Sequence, residues 1–229
     1  MSPFQPYLAA AAWAALLALL ASIVWRGRIR ECWAFPAYVL ATLVCNTLQT
    51  AWPERFLNYS FWVFKQGLYD VLKVAIAVEL AYRVFAAFPG AWRTARAVLA
   101  GLLAVTTLVV AALVPIASYS NLYDWQPRIS TAAVWMFTAT ALLVVWYQIP
   151  IRDFQRAIML GFTPYLLVMV TLMGLLKRHG WAFRSTLGVL DAAAFIAMVL
   201  FWTRAAWLAD AAQSGAARRQ PPARVALGA

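Results

Sequence analysis

Blocks of about twenty apolar residues recur along this 229-residue chain, and a helix needs about 20 residues at 1.5 Å rise to cross a hydrocarbon core. Taken in order, the blocks predict seven spans near 7–26, 33–52, 60–83, 95–117, 129–148, 156–176 and 185–207, joined by short loops. Hydrophobic residues make up 65% of the sequence and charged residues 12%, whereas a soluble domain is about half apolar. So few charges cannot wet the surface of a water-soluble fold of this size. The expected fold class is all-α, a polytopic membrane helix bundle with a single transmembrane domain over 1–212. Residues 213–229, rich in Gly, Ala, Arg and Pro, read as a disordered tail.

Arginine and lysine set the orientation. One set of loops carries Arg26, Arg28 and Arg30; then Arg83, Arg93 and Arg96; then Arg152 and Arg156; and last Arg204, Arg218, Arg219 and Arg224. The alternate set carries only Arg55, Arg128, Lys177, Arg178 and Arg184. The richer set belongs in the cytoplasm, so the N-terminus is expected outside and the C-terminus inside a bacterial inner membrane. The first block has no basic segment before it and its arginines come afterwards, which predicts a retained span and not a cleaved leader. The net charge of +11 would suggest nucleic acid in a soluble protein. Here the arginines lie between apolar blocks, so the expected partner is the lipid bilayer with its anionic headgroups, and no nucleic acid. Tyr119, Tyr123 and Trp125 after the fourth span read as an interfacial belt or as a lid.

Metal and redox chemistry are not expected. The two cysteines, Cys32 and Cys45, do not form an exported pair, so no disulfide is predicted. The single histidine, His179, sits in a predicted loop, which leaves no set for zinc or haem and no cofactor. Gly-x-Ser-x-Gly and HExxH do not occur, nor does a phosphate loop, and the seventh block has no lysine for a retinal Schiff base. The protein is therefore expected not to be an enzyme.

The third block, SFWVFKQGLYDVLKVAIAVELAYR from Ser60 to Arg83, is unlike the rest. At about 100° per residue, Lys65, Gln66, Tyr69, Asp70 and Lys73 fall on one stripe of its helix. Asp70 and Lys73 stand at i, i+3 and Gln66 and Asp70 at i, i+4, so both pairs can touch. Ionisable groups at membrane depth are costly and turn towards protein or a wet cavity. Two readings compete: an internally paired stripe that locks the helix among its neighbours, or a polar cavity for an anion, a lipid headgroup or another small molecule. Glu79 points away from the stripe, and its expected partner is Arg83 at the cytoplasmic interface. The second block offers a facing surface in Thr42, Cys45, Asn46, Gln49 and Thr50. Asp191 in the seventh block has no partner at helical spacing. It is expected either to bridge to Lys65 or Lys73 or to be protonated. Pro164 in the sixth block marks a bend.

Two correspondences hint at an internal repeat. Ile29-Arg30-Glu31 precedes the second span as Ile151-Arg152-Asp153 precedes the sixth, and Asp70 leads Arg83 as Asp191 leads Arg204. Spans one to three and five to seven would then be parallel triplets, a known transporter plan.

Ala34-Phe35-Pro36-Ala37-Tyr38, with Glu79-Leu80-Ala81-Tyr82-Arg83-Val84-Phe85 and Phe88-Pro89-Gly90, resembles an uncharacterised group of bacterial seven-helix integral membrane proteins. The resemblance covers the first hundred residues or so. It implies the helix count and a bacterial origin, and carries no activity. In topology alone the chain also resembles seven-helix sensor modules. It lacks the proline–glutamine pair of the 3+1+3 sugar transporters. The expected role is a sensor, ligand-binding or scaffold module with a possible cytoplasmic protein partner. A small transporter is the alternative, and an intramembrane enzyme a more distant one.

Overall fold

The computed structural model describes residues 5–86, 122–146, 151–179 and 184–219, and among these every regular element is helical. The long helices are α1 (Gln5–Trp25), α2 (Ala34–Ala51), α4 (Tyr59–Ala86), α5 (Leu122–Trp146), α6 (Asp153–His179) and α7 (Arg184–Arg219). Between them lie a 3-10 turn at Arg28–Glu31 and the single-turn helix α3 (Pro53–Phe56). The fourth predicted span, 95–117, lies outside the described residues.

Local chemistry sets the helix ends. Gly27 stops α1 with φ at 64°, a left-handed conformation that only glycine takes cheaply. Pro53 opens α3, where its missing N–H costs nothing. Asn58 caps α4, its Oδ1 accepting the Phe61 N–H at 2.7 Å. The last helix runs on to Arg219, past Gln213, where the tail was expected to begin. Its Ala-rich continuation favours helix. His179, expected in a loop, is the final residue of α6. That helix passes through Pro164 without interruption.

The six long helices pack as a closed ring in the order α1, α2, α4, α5, α6, α7 and back to α1. The Arg28–Glu31 turn joins α1 to α2. The C-terminus of α4 and the N-terminus of α6 meet the same end through Glu79 and Gln155. Arg26, past the end of α1, lies 4.6 Å over the Trp207 ring of α7. These contacts bring Arg26, Arg28, Arg30, Arg83, Arg152, Arg156 and Arg204 to one end of the bundle, here termed the arginine end. The sequence grouped the same residues. Neighbours α4 and α5 run parallel, because α4 finishes at this end and α5 finishes beside the start of α6.

At the core near this end, Trp202 meets Phe35 at 4.8 Å and Phe162 at 4.5 Å between ring centroids. Phe137 stacks on Phe162 at 5.1 Å. The Trp202 indole N–H donates to the Ala157 carbonyl at 3.1 Å. Gly161 makes this possible, since a Cβ there would collide with the indole. The outside of the ring is apolar: Leu40, Val71, Trp135, Leu142, Leu160 and Leu200 all face outward. Among the described residues, three helices are long and apolar enough to cross a membrane, over Tyr7–Trp25, Asp153–Leu176 and Ser185–Leu208. The charges of α4 keep it out of that class, and these charges face inward.

Candidate functional site

Two polar sites lie within the apolar exterior. The deeper is a layer formed by α2, α4, α6 and α7. Asp70 and Lys73 are both buried, 6% and 3% exposed. Lys73 Nζ pairs with Asp70 Oδ1 at 3.0 Å and touches the Met169 sulfur at 3.9 Å. Nearer the other end, Lys65 Nζ donates to Gln49 Oε1 at 2.8 Å. Tyr38 packs edge-on against Tyr69 at 5.9 Å, and Tyr165 lies 5.8 Å from Phe195. Thr42 stands beside the hydroxyls of Tyr38 and Tyr69. The Tyr69 hydroxyl is buried there without a well-formed hydrogen bond.

Asp191 joins this layer from α7, but the expected bridge does not form. Lys73 acts on it electrostatically while bonding to Asp70, and Asp191 Oδ1 is buried with no hydrogen-bond partner among the described residues. The reason is geometric. Asp70 sits one turn from Lys73 on a rigid helix, so their pairing costs less ordering than one between helices. Both carboxylates act on Tyr38 and on Tyr165, which places them in a common interior.

The sequence-derived stripe is therefore present, with a narrower membership. Lys65, Tyr69, Asp70 and Lys73 face α2 or the interior. Gln66 and Asn46 are half-buried and make no side-chain hydrogen bond to described residues. Gln49 is engaged, whereas Thr50 is exposed and turns back to the Asn46 carbonyl. The working face of α2 is Tyr38, Thr42, Cys45 and Gln49. Their spacing of four, three and four residues was a legible signal for Tyr38. Met169 had no such signal, because an apolar residue in an apolar span stands out from nothing.

The second site is at the arginine end. Arg83 grips Glu79 through Nη2 at 2.7 Å and Nε at 3.1 Å, as the spacing predicted. The sequence did not disclose the other side of that carboxylate. Glu79 accepts the backbone N–H groups of Trp33 and Ala34, each at 2.9 Å, and the Cys32 thiol at 3.4 Å. A residue of α4 thus caps α2, which has no side-chain cap of its own. Free N–H groups and the positive end of the helix dipole both favour a carboxylate there. Burial, with the Glu79 charge beside it, pushes the Cys32 thiol up to about 12. Close by, the buried Arg28 and Glu31 pair at 2.7 Å. Arg152 approaches Glu31 at 3.5 Å, and Gln155 donates to the Glu31 carbonyl at 2.8 Å.

No family model, curated protein or solved structure matches this chain.

Proposed function

We propose that this protein is a non-enzymatic, multi-pass protein of a bacterial inner membrane, with seven spans, the N-terminus outside and the C-terminus in the cytoplasm. Its polar layer binds a small anionic molecule or lipid headgroup, and the bundle relays that occupancy to a cytoplasmic partner. The observation that carries this reading is the burial of Asp70 and Lys73, with the half-buried Lys65 and Asp191 beside them, inside a bundle with an apolar exterior. A purely structural lock needs one closed pair. This layer has two cations, a second carboxylate and a buried tyrosine hydroxyl, which is more polarity than helix packing requires.

Thermal unfolding of the purified full chain tests it, with inorganic phosphate, glycerol phosphate and ethanolamine phosphate as probes. At least one probe is expected to raise the Tm of the wild type and leave Lys65→Met unmoved. A flat response to all three would remove the binding reading. Reporter fusions at the two termini test the orientation.

A small transporter is the second reading. It is favoured by the order of the ring: α1, α2 and α4 occupy one arc and α5, α6 and α7 the next, with the same sequence of directions. Probe uptake into proteoliposomes separates transport from sensing.

A further inference from the structure

The polar layer has one carboxylate more than its cations satisfy. Lys73 is committed to Asp70 at 3.0 Å and Lys65 to Gln49 at 2.8 Å. Asp191 keeps a buried Oδ1 with no hydrogen-bond partner among the described residues. The groups around it come from every helix packed there. Lys73 is on α4 with Asp70 and Tyr69 behind it, Tyr38 is on α2 and Tyr165 is on α6. Helix α1 also packs on α7, and its one ionisable side chain, Tyr7, is exposed.

A carboxylate buried in a membrane bundle without a counter-charge takes up a proton or a cation. A metal cation needs a shell of several oxygen ligands. Among the described residues no group of three or more His, Cys, Asp or Glu side chains could hold one, and the Lys73 ammonium repels it. A proton needs neither space nor a shell.

We infer that Asp191 is a proton-binding site, set against Asp70 through Lys73, so that one proton and one ammonium together serve two carboxylates. The inference rests on the polar layer being the functional site. When the proton leaves Asp191, that carboxylate competes for Lys73. If Lys73 moves across, Asp70 takes up a proton in turn. The exchange breaks a pair within α4 and forms one between α4 and α7, so proton occupancy is tied to how two helices are held. With Asp191 protonated, the Lys65 ammonium is a surplus positive charge in the layer, which suits an anionic ligand. Acid pH should therefore tighten anion binding.

Infrared spectroscopy of the full-length protein in liposomes, followed across pH, reads the proton directly. At neutral pH the wild type is expected to show a protonated-carboxyl C=O band that Asp191→Asn deletes and Asp191→Glu shifts. Asp70→Asn is also expected to delete it, because Lys73 then pairs with Asp191. A wild type without the band, a band insensitive to Asp191→Asn, or one that survives Asp70→Asn would each overturn the proposal. So would a band that responds to replacing sodium with choline at fixed pH, which would assign a metal cation. Should the band be missing while a phosphate probe still shifts the Tm of the wild type and not of Lys65→Met, the proton assignment alone has failed. If no probe shifts it and the band is present, the binding reading has failed.

Discussion

Glu79 and Asp191 are both carboxylates held between helices of one bundle, yet their surroundings are opposite. Glu79 meets a guanidinium, two backbone N–H groups and a thiol, drawn from α4 and from the start of α2. Asp191 lies among tyrosines with a lysine already spoken for, and one of its oxygens has no hydrogen-bond partner among the described residues. A satisfied carboxylate fixes two helices to each other. An unsatisfied one stores a free-energy cost that a ligand can relieve. The difference marks Glu79 as a fastening between α4 and α2 and Asp191 as the open carboxylate of the polar layer; at the arginine end Glu31 also keeps one buried oxygen without a partner among the described residues.

The largest effect should come from the layer. Lys73→Ala leaves Asp70 buried and unpaired, and should cost about 3–5 kcal/mol of stability. Thermal or denaturant unfolding in detergent checks this, and an unchanged midpoint would mean that water reaches the pair. Glu79→Ala should cost about 2 kcal/mol, from the lost cap and the released arginine. Glu79→Gln should recover part of that, since an amide oxygen can still accept one N–H. If Glu79→Ala proved costless, Glu79 would not be the fastening between α4 and α2.

Smaller effects sharpen the contrast. Gly161→Ala pushes a methyl group into the Trp202 indole, and overpacking of this kind costs about 1–3 kcal/mol. Shifted tryptophan emission should accompany the loss. Cys32 should react slowly with maleimide at pH 8, because it is buried and its thiol is held up to about 12. Glu79→Gln should speed that reaction by removing the adjacent charge. The raised value also fixes a sign. The folded chain keeps the Cys32 proton after the unfolded chain has lost it, so this contribution is complete below about pH 9 and fades as pH rises towards 12. A midpoint that climbed across that window in wild type but not in Cys32→Ser would contradict it.

Much of the arrangement was legible beforehand, and for stated reasons. Helix periodicity placed Lys65, Tyr69, Asp70 and Lys73 on one stripe, because spacing along a helix fixes angle. The i, i+4 separation gave Glu79 its arginine. The gathering of arginines at one end followed from their alternation between apolar blocks. Three features were not legible. Nothing local tells α2 that Glu79 will cap it, since the two lie 45 residues apart. The Arg28–Glu31 turn docks on Gln155 across 124 residues of chain. Asp191 was expected to bridge to Lys65 or Lys73 or to carry a proton, and the fold gave Lys73 to Asp70 and Lys65 to Gln49.

Sequence alone decided that this chain forms helices, how long most of them are and which face of each carries polar groups, because those depend on composition and on the fixed turn of the helix. Only the tertiary structure decided which helix answers which. Competition for a shared partner such as Lys73 is settled by distance and by the cost of ordering side chains, and neither exists until the ring has closed.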